Sequence, residues 1–384
     1  MDPLRKVAGV ADLRRLAQGQ LPLPLFDFID GAAEDETTLA ANRADFDAWR
    51  FRPRMLRDVS AVRLEAMLAG RPAALPLALA PIGLAGLAWP RGEILAAQAA
   101  ARAGIPFCLS TNSVARLEEI PRAAPDGENW FQLYFLKDRD WMNGLVVRAR
   151  DAGYRALVVT VDLPLTGKRE RDLRNAFTVP PRPTLSSALA FARRLPWLWR
   201  SLRAPAGFGN FEGAGGGAGL ISVAQHVATL FDPAAGWDDV KALREAWTGP
   251  LILKGILHPE DAERAVALGA DAISVSNHGG RQLDGTVSAI RALPDIATAV
   301  GGRCDILLDS GVRRGTDILK ALALGASGVM IGRAYVWGLA AAGGPGVDKA
   351  IALLRAELET AMMLLGETEL GDLGPDMLIS AGAP

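Results

Sequence analysis

Residues 306–333 read ILLDSGVRRGTDILKALALGASGVMIGR, and this stretch contains one copy of a unit that recurs along the chain. An apolar run at 306–308 ends in Asp309, a glycine-containing polar turn follows, and a helical segment leads to a second apolar run at 328–331. Short, continuously apolar runs joined by a helix are typical of parallel strands whose two faces are covered. The stretch therefore predicts a strand–helix–strand unit.

The same pattern occurs often enough to close a barrel. Eight apolar runs are present, at 75–80, 106–109, 130–134, 156–161, 251–253, 272–275, 306–308 and 328–331. Most are separated by roughly 20–35 residues, the size of a strand and its crossover helix. We predict a single domain over 1–384: a helical cap at 1–70 and a (β/α)₈ TIM barrel at 71–384. A doubly wound sheet is the competing fold, but no apolar run is followed by GxGxxG.

A long insertion interrupts the repeat after the fourth predicted strand, at about 178–236. Its segment 190–203, AFARRLPWLWRSLR, alternates apolar residues such as Trp197 and Trp199 with arginines, and a glycine-rich stretch follows at 213–219. Aromatic and basic residues together favour membrane interfaces. Contact with an anionic membrane surface, a lid over the pocket and a helix at a subunit contact are the three interpretations that the segment allows.

Composition excludes some partners and suggests a compartment. The 42 Lys and Arg residues balance 43 Asp and Glu residues, for a net charge of −1, so no cationic surplus is available for nucleic-acid binding. The N-terminal sequence MDPLRKVAGVADLRRL carries charges throughout and lacks the apolar core of a signal peptide. We therefore expect a cytoplasmic protein.

Polar residues follow nearly every predicted strand. Because the active site of a TIM barrel is built at the C-terminal ends of its strands, these residues predict one shared pocket. The residues concerned are Pro81, Ile82, Gly83, Ser110, Gln132, Tyr134, Thr160, Asp162, Lys254, Ser276, His278, Asp309, Gly311, Gly332 and Arg333.

His278 is the candidate general base. It follows the sixth run within Ser276–Arg281, SNHGGR, so that an imidazole and the Arg281 guanidinium are close in sequence. Asp162 is available to orient the imidazole ring and to stabilise its charged form. Arg281 can bind a carboxylate through two parallel hydrogen bonds. A structural histidine in a turn is the alternative interpretation.

The loops after the seventh and eighth strands are the usual phosphate site of this fold. They contain DSGVRRG at 309–315, including Gly311 and Arg313, and Gly332-Arg333, which supply glycine N–H groups and cations. An ordinary solvated turn is the alternative. Lys254 ends an apolar strand, where it needs an anionic partner. Flavin mononucleotide (FMN), a phosphate-bearing cofactor whose ring accepts negative charge, suits these features.

With these motifs the chain resembles the FMN-dependent 2-hydroxy acid oxidases and dehydrogenases, most closely membrane L-lactate dehydrogenase and mandelate dehydrogenase. The most specific segments are SNHGGRQLDG and LLDSGVRRGTDILKALALGA, supported by WFQLY, VTVDLP and LILKG in the same order. The resemblance implies oxidation of an L-2-hydroxy acid, lactate or mandelate in type, to the 2-oxo acid, with electrons passed to quinone. It also implies a homo-oligomer, since members of the family are often tetramers or octamers, and we expect a homotetramer and no metal. The insertion favours a peripheral position on the cytoplasmic face of the inner membrane.

The resemblance assigns roles to individual residues. His278 is implied as the base, with Asp162 as its partner, and Arg281 and Arg169 as anchors of the substrate carboxylate. Tyr134 is implied to contact the substrate hydroxyl, and Lys254 to stabilise the reduced flavin. The cofactor-lining set is implied to be Pro81, Ile82, Gly83, Ser110, Gln132, Thr160, Lys254, Ser276, Asp309, Gly311, Arg313, Gly332 and Arg333.

Two positions give information about the size of the substrate and the identity of the electron acceptor. Phe28 aligns with a family tyrosine that contacts the substrate carboxylate, so a larger or more apolar acid becomes plausible, unless Phe28 is only part of the core of the cap. Gly83 matches the quinone-linked dehydrogenases, whereas oxidases of the family tend to have alanine there. An oxygen-using oxidase, a flavin-dependent isomerase and a flavin-binding scaffold without turnover are the alternatives, and hydride and carbanion mechanisms use the same residues.

Overall fold

The computed structural model describes residues 3–175, 177, 185–202, 207–211 and 230–380. The strands are β1 (Trp49–Phe51), β2 (Ala66–Leu68), β3 (Arg71–Ala73), β4 (Leu77–Leu79), β5 (Phe107–Ser110), β6 (Asn129–Tyr134), β7 (Ala156–Thr160), β8 (Leu251–Ile256), β9 (Ala272–Val275), β10 (Asp305–Asp309), β11 (Gly328–Ile331) and β12 (Leu378–Ser380).

The helices alternate with the strands through most of the chain. They are α1 (Val10–Gln20), α2 (Leu23–Asp30), α3 (Thr37–Ala44), α4 (Ala85–Ala88), α5 (Gly92–Ala103), α6 (Glu119–Ala123), α7 (Arg139–Asp151), α8 (Glu170–Arg174), α9 (Leu185–Ala192), α10 (Leu195–Ser201), α11 (Trp237–Ala246), α12 (Pro259–Ala267), α13 (Ala289–Val300), α14 (Gly315–Ala323), α15 (Arg333–Ala342) and α16 (Gly344–Leu365).

Strands β4 to β11 form the predicted barrel. They pair in parallel, each with its neighbour in sequence, and β11 pairs with β4 to close the sheet. Seven of these strands are buried along nearly their whole length because helices cover the outer face and side chains fill the interior. Each of the eight apolar runs of the sequence overlaps one barrel strand, which confirms the predicted (β/α)₈ fold.

The cap is helical over only part of the predicted range 1–70. Helices α1 to α3 and a 3₁₀ turn at Asp45–Ala48 occupy its first part. The chain then forms β1, which pairs with β12 near the C-terminus, and the hairpin β2–β3. The hairpin turns at Ala69 and Gly70, both with positive φ, and buries Leu68 in the cluster that fills the barrel interior. The prediction missed these strands because three-residue strands carry too little periodicity to detect.

Helix α3 of the cap is attached to the barrel loop after β9. The Asp284 carboxylate accepts hydrogen bonds from the backbone N–H groups of Thr37 and Thr38, at 3.1 and 2.7 Å. Asn42 and Asn277 exchange two side-chain hydrogen bonds of 2.8 Å. The loop that contains SNHGGRQLDG is therefore fixed to the cap at both of its ends.

The insertion packs on both cap and barrel where it is described. The indole of Trp197 is buried and donates to the carbonyl of Leu87 at 2.9 Å, and the Arg194 guanidinium donates to the carbonyl of Leu21 at 3.1 Å. The chain resumes the barrel with α11, which begins at Trp237. The glycine-rich stretch 213–219 lies outside the described residues.

Gly338 allows α15 and α16 to cross at close range. A Cβ atom on Gly338 would lie 2.2 Å from the carbonyl oxygen of Gly346. We predict that Gly338→Ala lowers the free energy of unfolding by about 1–3 kcal/mol, because the helices must separate. Gly144→Ala is the matched control: Gly144 lies within α7 with open space around it, so alanine should stabilise by about 0.5–1 kcal/mol. Thermal unfolding of the purified protein measures both changes, and equal shifts would contradict the tight crossing.

Candidate active site

A cavity of about 600 Å³ lies at the C-terminal ends of the barrel strands. All but four of the predicted site residues line it, and the exceptions, Ser110, Gln132, Asp162 and Ser276, lie behind its surface. The lining residues among those predicted are Phe28, Pro81, Ile82, Gly83, Tyr134, Thr160, Arg169, Lys254, His278, Arg281, Asp309, Gly311, Arg313, Gly332 and Arg333.

His278 and Asp162 form a pair at one side of the cavity. The Nδ1 atom of His278 lies 2.8 Å from Oδ1 of Asp162. His278 has a φ of 57°, and its backbone N–H donates to the Ser276 hydroxyl at 3.0 Å. This hydrogen bond helps to hold a left-handed turn that directs the imidazole toward the cavity. Because Nδ1 is engaged by a carboxylate, Nε2 is the ring atom left to take up a proton.

Arg281 and Arg169 enclose the ring of Phe28. Their guanidinium carbons lie 5.1 and 5.4 Å from its centroid, and Phe177 contacts the same ring edge-on at 5.3 Å. The Phe28 ring therefore faces the cavity and does not lie only in the cap core. Arg281 donates to the carbonyls of Phe28 and Gly31, at 2.7 and 3.0 Å.

The two arginines differ in their charge partners. Burial, followed by repulsion from Arg169 and Arg333, lowers the pKa of Arg281 well below its ordinary value. Among the described residues Arg281 forms no ion pair. In contrast, Arg169 forms an ion pair with Asp172, with Nε of Arg169 2.9 Å from Oδ2 of Asp172. Burial raises the pKa of Asp172. Sequence reasoning missed Asp172, whose only signal is its position three residues after Arg169.

Lys254 is held in a buried network with Asp309 and Ser276. Its ammonium lies 2.6 Å from Oδ2 of Asp309 and 2.9 Å from the Ser276 hydroxyl, and that hydroxyl donates to Asp309 at 2.7 Å. Burial alone would lower the pKa of Lys254, but the negative charges of Asp309 and Asp162 outweigh it and the pKa lies above its ordinary value. Lys254 is thus a fixed cation at the floor of the cavity.

Arg313 and Arg333 make one end of the cavity strongly positive. Burial lowers the pKa of Arg313 to about 9 and that of Arg333 to about 10. Neither forms an ion pair within the described part of the chain; Arg333 donates to the carbonyls of Ile29, Gly279 and Gly31. Helix α15 begins at Arg333, so its N-terminal dipole adds positive potential. This end of the cavity is suited to a dianion.

Of the buried polar atoms around the cavity that have no partner, two lie on the neighbouring strands β6 and β7. They are Nε2 of Gln132 and Oγ1 of Thr160. Oε1 of Gln132 is already bonded to the Ser110 hydroxyl at 3.2 Å and to the Thr111 N–H at 3.2 Å. Buried polar groups are nearly always hydrogen-bonded in complete structures. The amide and the hydroxyl are therefore suited to hydrogen-bond a polar ligand in the cavity.

The rest of the lining is largely apolar, and sequence reasoning did not identify the individual residues that form it. Leu163 and Phe177 follow β7, Phe208 belongs to the insertion, and Phe231 lies just before α11. Tyr134 contacts Phe231 edge-on, with centroids 5.1 Å apart. These residues lie in irregular segments, where no periodicity distinguishes a cavity-lining aromatic from one buried in the core.

Known proteins resemble this chain over nearly its whole length. The sequence profile of the FMN-dependent dehydrogenases matches residues 17–380. An L-lactate dehydrogenase of Caulobacter sp. (strain K31) is 47% identical over 375 residues, covering 97% of this chain and 98% of the relative.

Solved structures agree with the sequence comparison. The monotopic membrane protein (S)-mandelate dehydrogenase superposes with a TM-score of 0.94 at 39% identity, covering 98% of this chain and 100% of that one. A mandelate oxidase with (S)-4-hydroxymandelic acid gives a TM-score of 0.85 at 43% identity, covering 97% and 98%. The resemblance inferred from the motifs is confirmed, and the chain belongs to the family of FMN-dependent dehydrogenases.

Proposed function

We propose that this protein oxidises an L-2-hydroxy acid of the lactate or mandelate type to the 2-oxo acid and passes the electrons to a quinone. The observation that carries the proposal is the convergence of His278, paired with Asp162, and the two arginines Arg281 and Arg169 on one cavity. A base and a carboxylate anchor are the two groups that recognition and deprotonation of a 2-hydroxy acid require.

The residues present fit FMN, the cofactor of the family. Arg313, Arg333 and the start of α15 would hold the phosphate, because they supply cations and backbone N–H groups without a carboxylate partner. The unpartnered amide of Gln132 and hydroxyl of Thr160 would bond the polar edge of the flavin ring. Lys254 would lie beside the ring as a fixed positive charge. FMN, when bound, supplies a two-electron acceptor.

The reaction releases two electrons and two protons from the substrate. Arg281 and Arg169 bind the carboxylate and thereby direct the hydroxyl-bearing carbon toward His278. Nε2 of His278 takes up a proton, and Asp162 stabilises the resulting imidazolium through Nδ1. Tyr134 lies in the cavity wall with its pKa raised by burial and by the charge of Asp162, so it stays protonated and can donate a hydrogen bond to the substrate hydroxyl. Hydride and carbanion routes require the same groups.

Anaerobic mixing with candidate substrates tests the proposal. We expect the visible flavin absorbance of the purified protein to be bleached by L-lactate or (S)-mandelate, and to return quickly with a quinone analogue and slowly in air. A protein that contains flavin but whose flavin absorbance no 2-hydroxy acid bleaches would contradict the proposal. Fast recovery in air would leave the oxidation in place and replace the quinone with oxygen.

Replacing His278 should slow turnover strongly without removing the cofactor. We predict that His278→Asn lowers the rate of flavin reduction by about 10²–10⁴-fold, the usual contribution of a general base. His258→Asn is the matched control, because His258 is exposed and accepts a hydrogen bond from the Glu260 N–H at the start of α12. Stopped-flow absorbance measures the rate, and flavin content shows whether folding is intact. Equal effects of the two substitutions would contradict the role of His278.

The proposed quinone acceptor is supported by Gly83, the residue of the quinone-linked members, and by an apolar face on the insertion. Leu195 and Trp199 of α10 and Leu202, which directly follows the helix, fall on one face at helical spacing, and they are 58%, 63% and 70% exposed. The insertion follows β7, so it lies at the end of the barrel where the cavity opens. We place the protein on the cytoplasmic face of the inner membrane, where a quinone reaches the cavity mouth from the bilayer. No helix within the described ranges is long and apolar enough to cross a membrane.

The homotetramer is a further part of the proposal. Met55, Leu56, Met363 and Leu364 are exposed, and the hydrogen bond from the Arg54 N–H to the Leu365 carbonyl, 2.9 Å, brings their two segments together. An apolar surface of this kind is typical of subunit contacts.

The exposed face of the insertion should control membrane binding. We predict that the wild-type protein sediments with vesicles containing phosphatidylglycerol and that the double substitution Trp199→Ser and Leu202→Ser releases it, because the apolar area inserted into the interface is lost. Met67→Ser is the matched control, since Met67 is 54% exposed but lies outside the insertion and outside the proposed subunit contact, in β2. Sedimentation of the double variant at the wild-type level would contradict the assignment.

A further inference from the structure

Residues 207–211 attach the insertion to the loop after β5. The N–H of Gly209 donates to the carbonyl of Ser113 at 3.0 Å, and a Cβ atom at Gly209 would lie 2.5 Å from the carbonyl oxygen of Val114. Only glycine permits so close an approach of the two backbones. This contact fixes the backbone between Phe208 and Asn210.

Asn210 completes the attachment with its side chain. Its amide nitrogen donates to the Thr111 carbonyl and the Ser113 hydroxyl, at 3.2 and 3.0 Å, and its carbonyl oxygen accepts from the Leu117 N–H at 2.8 Å. The residue is fully buried. An amide both donates and accepts, so aspartate would lose the first two bonds and alanine all three.

The loop that Asn210 holds belongs to the active site. The N–H of Thr111 donates to Oε1 of Gln132, whose amide nitrogen is the unpartnered group assigned to the flavin. Ser110, one residue earlier, bonds the same oxygen. The insertion is therefore attached directly behind the cofactor site.

Phe208 is the residue that this attachment brings into the cavity. It is buried and lines the cavity, and its ring is perpendicular to that of Phe211, with centroids 6.1 Å apart. Phe211 in turn stacks on Trp141 of α7 at 6.2 Å. Phe208 is thus held from behind by a packed aromatic series, and its position is fixed before substrate binds.

The cavity that contains Arg281 and Arg169 also has an apolar part to its lining. Phe208, Phe231 and Leu163 are among the apolar residues that share the cavity with the two arginines. A 2-hydroxy acid with only a methyl group would leave much of this apolar surface without contact, whereas a ring or a longer chain would cover it.

We infer that Phe208 is a specificity-determining wall for the side chain of the substrate and that Asn210 is the positioning residue that holds it. The inference rests on the proposed function and narrows its substrate class to 2-hydroxy acids with an aromatic or extended apolar side chain. The insertion then has a second role besides surface contact, because its residues 207–211 select the substrate.

The ratio of kcat/KM for (S)-mandelate to kcat/KM for L-lactate tests the inference. We expect the wild-type ratio to favour mandelate. Phe208→Ala should lower the ratio at least about tenfold while kcat/KM for lactate changes less than about twofold, because only the larger side chain contacts the wall. Phe208→Leu, which keeps more of the volume, should give an intermediate ratio and remains informative where the alanine variant folds poorly.

Asn210→Ala should lower the same ratio in the same direction. A merely structural residue would lower both kcat/KM values together with flavin content and leave the ratio unchanged, and that result would overturn the positioning role. Phe191→Leu is the control, since Phe191 packs on Trp197 within the insertion, with ring centroids 5.3 Å apart, and should keep the wild-type ratio.

The remaining outcomes separate this inference from the proposed function. If Phe208→Ala leaves the mandelate-to-lactate ratio of kcat/KM unchanged, Phe208 does not determine specificity for the substrate side chain. A wild-type protein that prefers lactate would overturn the substrate class and leave 2-hydroxy acid oxidation standing. A wild-type flavin that neither acid reduces would overturn both.

Discussion

Hydrogen bonds from barrel arginines to cap carbonyls are the constraint on which the site depends. Arg281 and Arg333 donate to the carbonyls of Phe28, Ile29 and Gly31, the residues at the end of α2. Backbone carbonyls satisfy the guanidinium N–H groups without neutralising their charge. The cap is thereby fixed over the barrel mouth, and the cavity keeps a positive charge that an incoming anion can neutralise.

The distribution of carboxylates determines which cations are available to ligands. Asp309 is committed to Lys254, Asp172 to Arg169 and Asp162 to His278. Arg281, Arg313 and Arg333 have no such partner in the described part of the chain, and each has a pKa below the ordinary arginine value. This arrangement is stable when two anions bind: a phosphate beside Arg313 and Arg333, and a carboxylate beside Arg281. The shape and charge of the cavity thus describe both the cofactor and the substrate.

The barrel and the location of the residues at its strand ends could be predicted from the sequence, because both follow from local sequence patterns. A polar residue directly after an apolar run, such as Lys254 or Ser276, has its direction fixed by the parallel sheet. The hairpin at Ala69 and Gly70, the carbonyl partners of Arg333 and the aromatic wall at Phe208 depend on contacts between segments distant in sequence, which carry no local periodicity. Asp172 had a signal in its spacing from Arg169, but exposed i,i+3 pairs of that kind are common on helices.

The most direct test of this account compares a 2-hydroxy acid with its neutral amide as reductants of the enzyme-bound flavin under anaerobic conditions. (S)-Mandelate and (S)-mandelamide share ring, hydroxyl and α-hydrogen and differ only in the charge that Arg281 is proposed to bind. The account predicts rapid bleaching by the acid and a rate at least about 10²-fold lower for the amide at equal concentration, the loss expected when a charge-assisted hydrogen bond to a buried cation is removed. Equal rates would show that the uncompensated charge of the cavity does not select the substrate.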